Sequence, residues 1–256
     1  MCNKSIIYGA AAMLLATVSC TSHYQLCDVS RSRILIDSRY DAHPDQQAVA
    51  FLAPYKHQVD SVMSPIVGRV ACDMYADRPE SKLSNLIADI MVWSGKVYNE
   101  HPVLGIYNIG GIRAAFAKGD ITYGDVLDVA PFENKVCFVT LSGSKVIELF
   151  QQIAKVGGEA VSHGVELEIT ADGQLKKALL NGKPIDPTAQ YRVATNDYVA
   201  QGNDKLAAFK SATDINSPQG KENNVRFIII EYAKQLAKEG KMVDAQIEGR
   251  IKTVKP

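Results

Sequence analysis

Apolar residues recur at helical spacing over residues 44–64, where Val49, Leu52, Tyr55, Val59, Val62 and Met63 share a face. Pro44 lies near the start of this helix, and Pro54 is placed to kink it. Ile66 to Met74 alternates in part and predicts a strand. Pro79-Glu80-Ser81 opens a second helix with Leu83, Leu86, Ile87, Ile90 and Met91 on its apolar face and Gly95 at its end. An apolar run from Val103 to Tyr107 reads as a buried strand cut off by Asn108, after which Gly110 and Gly111 allow a tight turn through backbone angles other residues avoid. Thr122 is the N-cap expected for a short helix through Gly124 to Leu127. Pro131 and Phe132 then break the pattern and leave a ring beside a turn. A strand over 136–141 leads through Gly143 into a helix with Val146, Leu149, Phe150 and Ile153 on one side, closed by Gly157 and Gly158. Residues 164–170 and 175–180 form a hairpin about Asp172-Gly173, and Asn181-Gly182 marks a second turn. A strand over 191–195, a loop over 196–204, an amphipathic helix over 223–239 and a closing strand over 247–251 complete the pattern. Residues 21–43 read as a tether and extended lead-in, with an edge strand over 32–37. Mixed helices and strands with both hairpin and crossover connections predict α+β: a single domain over 44–256 with a mixed sheet flanked by helices.

Composition narrows the function classes. The chain has 256 residues, 28 basic and 28 acidic, so no bulk positive field favours nucleic acid. No uninterrupted apolar stretch of the mature protein reaches the roughly 20 residues that span a bilayer. The N-terminus is different: Lys4 supplies a positive charge, Ile6 to Val18 an apolar segment, and Ser19-Cys20 a small residue before cysteine. This resembles a bacterial lipoprotein signal, with Thr17 where an aliphatic residue is commoner; a simple secretory peptide is the alternative. The expectation is a signal peptide over 1–19, lipid on Cys20, a tether over 20–43 and anchorage to a membrane surface of the cell envelope, in the periplasm or at the outer membrane. Cys27, Cys72 and Cys137 remain, an odd number without a CxxC pair; Cys72 and Cys137 fall in strand-like runs and read as small buried hydrophobes.

Tyr107 to Val139 holds the candidate chemistry. A strand, the Gly110-Gly111 turn, the planar donor fork of Arg113 and the ring of Phe132 on a second loop suit a flat polar ligand. The same residues also describe a glycine turn, a solvated arginine and a core phenylalanine, and short glycine motifs match by chance often. The runs Asn108-Ile109-Gly110-Gly111-Ile112-Arg113, Gly119-Asp120-Ile121-Thr122, Gly124-Asp125-Val126, Pro131-Phe132 and Asn134 closely resemble the C-terminal domain of the 5′-nucleotidase family. Ser84 to Asp89 resembles that domain's early helix, and Ala194 to Asp204 its late loop. The three motifs agree in order over roughly residues 65–210.

The resemblance implies a nucleoside or nucleotide ligand. A base would stack between Phe132 and Tyr198, where the family usually has a second phenylalanine, and ribose hydroxyls would reach Asp204. Asn203 replaces a usual glycine, and asparagine tolerates the left-handed conformation. Arg113 would reach substrate hydroxyls or phosphate, and Asn108 the base; Arg78 stands one residue beyond another family arginine. Asn85 and Asp89 fit the helix motif, Asp89 also as a structural residue. The family's hydrolysis belongs to a separate domain with two metals, and this chain has no DxH, GNHE-like or GHTH-like segment; His23, His43, His57, His101 and His163 are scattered singly. The expectation is therefore no catalytic residue and no cofactor in this chain, with a divalent metal pair in a separate metallophosphoesterase partner. A non-catalytic nucleoside-binding lipoprotein and a scaffold that lost its ligand are the alternatives.

Overall fold

A computed structural model describes residues 24–255; the proposed signal peptide and Cys20 lie outside the described residues. Two compact units divide between Phe51 and Leu52. In the first, residues 24–36 have no regular structure and Ser38–Tyr40 form one 3-10 turn. The strand expected over 32–37 is absent: Ile34 and Ile36 are exposed, and no described strand pairs with this segment. Helix α1, Gln46–Met63, begins in this unit and continues through Pro54.

The second unit contains β1 Ile66–Val70, α2 Lys82–Ser94, β2 Leu104–Tyr107, β3 Gly119–Thr122, α3 Tyr123–Val129, β4 Val136–Ser142, α4 Gly143–Lys155, β5 Ala160–Val161, β6 Val165–Thr170, β7 Leu175–Leu180, β8 Lys183–Pro184, β9 Gln190–Asn196, α5 Asp197–Ala200, β10 Thr213–Asn216, α6 Val225–Lys238 and β11 Ile251–Val254. The strands form three sheets where the sequence suggested one. A five-stranded sheet has the order β10-β4-β9-β2-β5, a four-stranded one β11-β6-β7-β8, and β1 pairs with β3. The five-stranded sheet is mixed, since β2 runs parallel to β9 while β4 and β9 are antiparallel.

Strand periodicity explains why this sheet lies inside. Along β4, Val136 and Phe138 enter one core cluster while Cys137, Val139 and Leu141 enter another. The first cluster adds the apolar faces of α2 and α6; the second adds α4 and the β6–β7 hairpin. A sheet covered on both faces reads as continuous apolar runs, which is how β2 and β4 look in the sequence.

Local chemistry sets the boundaries. Ser81 caps α2 in a reciprocal capping box with Ser84, and Thr122 caps α3 in one with Asp125. Gly95 does end α2, in a right-handed conformation. Its lack of a side chain matters because a Cβ would lie 2.5 Å from Pro102. Cys72 lies past the end of β1 and is half-buried, unlike the buried Cys137; Cys27, Cys72 and Cys137 are all free. The closing strand begins at Ile251 because the Glu80 carboxylate captures the amides of Glu248 and Gly249 at 2.9 and 3.2 Å. No helix among the described residues is long and apolar enough to cross a membrane.

Candidate functional site

The glycine turn is built around the Asn108 side chain. Strand β2 ends at Tyr107, and Ile109–Gly111 form a 3-10 turn. Neither Gly110 nor Gly111 has positive φ, so the turn does not use the special angles the sequence suggested. Space is the reason instead at Gly111, where a Cβ would come 2.9 Å from Asn108 Oδ1 and 3.0 Å from the Tyr107 ring. Asn108 is buried, and its Nδ2 donates to Asp204 Oδ2 at 2.6 Å. Its Oδ1 accepts from Asn196 Nδ2 at 3.1 Å. Asn196 in turn caps α5 by accepting the Val199 amide at 2.8 Å, so one chain of amides ties the turn to the 196–204 loop.

That loop carries a ring and a carboxylate. The Tyr198 hydroxyl donates to Asp204 Oδ1 at 2.9 Å, which answers its need for a partner. This bond, and then the charge behind it, pushes the Tyr198 hydroxyl pKa up. Asp204 therefore spends its carboxylate on two side chains rather than on its own backbone. Positive φ falls on Gly202, Asp204 and Lys205, not on Asn203. The left-handed geometry anticipated for Asn203 is thus not required there, and its Nδ2 braces the loop by donating to the Tyr198 carbonyl at 2.8 Å.

A cleft of about 250 Å³ collects these groups: Asn108, Gly110, Phe132, Asn134, Tyr198 and Asp204 line it. Phe132 and Tyr198 remain 46% and 38% exposed, which argues against a core role for either ring. A larger groove of about 800 Å³ elsewhere is lined by β1 and the end of α6 and includes none of the candidate residues.

Three expected site residues do not line the cleft. Gly111 is buried at the end of the turn. Arg113 is exposed beside it, with Nη1 on the Gly110 carbonyl at 3.3 Å. Arg78 is held away by its own partners: Nη2 bonds the Glu159 carboxylate and Nε donates to the Gly158 carbonyl at 2.8 Å. Glu159 is only 2% exposed, and its other oxygen accepts the Ile109 amide at 2.5 Å. Burial pushes the Glu159 carboxyl up, opposed by the Ile109 amide and by Arg78. Sequence reading missed Glu159; the available signal is a charged residue inside the otherwise apolar run Gly157 to Val161. Asn134 also lines the cleft, a role its place in the Pro131-Phe132 motif did not reveal. Asn85 and Asp89 are structural: Asn85 bonds Glu80 and Gln246, and Asp89 pairs with buried Arg250 at 2.7 and 2.9 Å. Among the described residues no group of three or more His, Cys, Asp or Glu is arranged to hold a metal ion.

The family model for the 5′-nucleotidase C-terminal domain matches residues 66–211, more than half of the chain. The chain belongs to this family. As a 5′-nucleotidase C-terminal domain it is 31% identical over 239 residues to the trifunctional nucleotide phosphoesterase protein YfkN of Bacillus subtilis, covering 86% of this chain and 16% of that protein. Protein UshA of Yersinia enterocolitica is 26% identical over 204 residues, covering 78% of this chain and 36% of that one. The crystal structure of a 5′-nucleotidase precursor from Thermus thermophilus superposes with a TM-score of 0.70 at 26% identity, over 84% of this chain and 45% of that one. The chain thus spans less than half of each of these relatives. Its α+β architecture, sheets flanked by helices, is that of the 5′-nucleotidase C-terminal domain. All eight candidate residues, from Arg78 to Asp204, fall within the matched span.

Proposed function

We propose that the cleft binds the nucleoside end of a nucleoside or nucleotide, as the substrate-holding part of a 5′-nucleotidase-type phosphoester hydrolase acting in nucleotide catabolism. One observation carries this: two exposed rings from separate loops, Phe132 and Tyr198, line the same small cleft as the Asp204 carboxylate and the Asn108 amide. A base has two π-faces for the rings and polar edges for Asn108 and Asn134. Ribose offers two hydroxyls, both donors, and a carboxylate has about four acceptor positions. Asp204 uses two of them, on Tyr198 and Asn108, and so keeps capacity for a diol. Arg113, at the rim of the turn, is the cation available to hydroxyls or phosphate projecting outward.

The hydrolytic step would fall to a separate metallophosphoesterase chain carrying the divalent metal pair, docked so that the phosphate end faces it. Placement in the cell envelope through lipid on Cys20 belongs to the same proposal. A thermal-shift screen against nucleosides and their 5′-monophosphates is the test. Nucleosides should raise the melting temperature of the purified protein, and AMP hydrolysis with divalent metal should require the added partner. Stabilisation without turnover in the presence of any partner would favour the non-catalytic binding lipoprotein. Turnover by the lone chain would overturn the division of labour, and no shift with any nucleoside would overturn the binding itself.

A further inference from the structure

Phe132 is nearly half-exposed, so packing holds its ring only in part, while the main chain beneath it is anchored separately. Arg226, the second residue of α6, donates from Nη2 to the carbonyls of both Pro131 and Phe132, each at 2.7 Å. Nη2 carries two hydrogens, one for each carbonyl, and the positive charge strengthens both bonds. The neighbouring Val225 amide donates to the Asn134 carbonyl at 2.9 Å, and Lys135 and Asn224 form a β-bridge. The segment bearing the ring is thus seated on the first residues of α6. The family match ends at residue 211, before this helix, and Arg226 does not line the cleft.

We propose that Arg226 is a positioning residue for the nucleoside cleft: it fixes the Pro131–Phe132 main chain so that the Phe132 ring stands as one wall. This rests on Phe132 being a base platform, as proposed above. Arg226→Met keeps the apolar stem and removes the donors, and a double-mutant cycle with Phe132→Ala isolates the route of action. Calorimetry with adenosine should show about tenfold weaker binding for R226M, within the range for a lost base–ring stack. In the F132A background the same change should weaken binding less than about twofold. Equal losses in both backgrounds, or no loss in the wild-type background, would overturn the proposal. Amide hydrogen exchange of the ligand-free protein gives a second test: R226M should speed exchange at Val225 and Lys135, whose amides are bonded at the two ends of this seat, while α2 stays protected. Unchanged exchange at these two amides sinks the clamp whether or not adenosine binds. Failure of F132A itself to weaken adenosine binding counts against the stacking function instead, since the exchange arm does not depend on it.

Discussion

At the scale of single residues, the proposed binding role and stability should separate. Phe132 and Tyr198 are 46% and 38% exposed, so truncating either removes little buried surface. Phe132→Ala and Tyr198→Ala should each weaken nucleoside binding in calorimetry by about 1–3 kcal/mol, with little change in melting temperature. Collapse of the fold in both variants, with binding never detected in the parent, would restore the core role for the rings. Tyr198→Phe asks a finer question, because it keeps the π-face and removes the donor to Asp204. It should retain stacking while changing the response to ribose. The affinity ratio between adenosine and 2′,3′-dideoxyadenosine is the measurement, and an unchanged ratio would show that the hydroxyl does not tune Asp204. Asp204 and the rings were legible in the sequence because a motif surrounds each. Glu159 and Arg226 were not, since a buried carboxylate and a helix-start arginine acquire meaning only from which distant backbone groups they meet.

Elements were legible wherever periodicity or a cap fixed them. The hairpin over 165–180 was found from its Asp172-Gly173 turn, and α2 and α3 from Ser81 and Thr122. Strands β3 and β10 escaped notice because GDIT and TDIN are short and polar, and only their partners make them strands. The start of β11 was misplaced by a carboxylate from 168 residues away that holds the preceding amides. α3 leads directly into the Phe132 segment, so its cap bears on the site. Thr122→Ala should lower stability by about 1 kcal/mol through the lost bond to the Asp125 amide. Urea denaturation should show a lower midpoint with an unchanged slope; a parent-like midpoint would mean water replaces the cap without cost.

For the whole molecule, acid sensitivity has an identifiable contributor. Arg192 grips Glu100 through Nε and Nη2 at 2.7 and 2.6 Å, and both side chains are only 15% exposed. The Arg192 hydrogen bonds hold the Glu100 carboxyl below its usual value. Because the folded-state pKa is depressed, this stabilisation is present above the unfolded glutamate pKa and is lost as pH falls through the folded one. Glu100→Gln should therefore be less stable than the parent at pH 7, and its melting temperature should fall less between pH 6 and pH 3. Parallel pH profiles for the two proteins would assign the acid sensitivity elsewhere.

The ring-bearing segments adjoin the same end of two neighbouring strands. Phe132 precedes β4, Tyr198 follows β9, and Val136 faces Asn196 in the ladder. Lys135 and Asp197 extend that pairing by a backbone bond of 2.9 Å and a side-chain bond of 3.0 Å. If the cleft binds as proposed, the spacing of its two ring-bearing segments is therefore anchored where β4 pairs with β9. Exchanging one aromatic for another should leave that spacing unchanged, whereas inserting or deleting a residue between 131 and 135 or between 197 and 204 should alter it. Divergence in what such domains accept should accordingly be written in the lengths of these two connections.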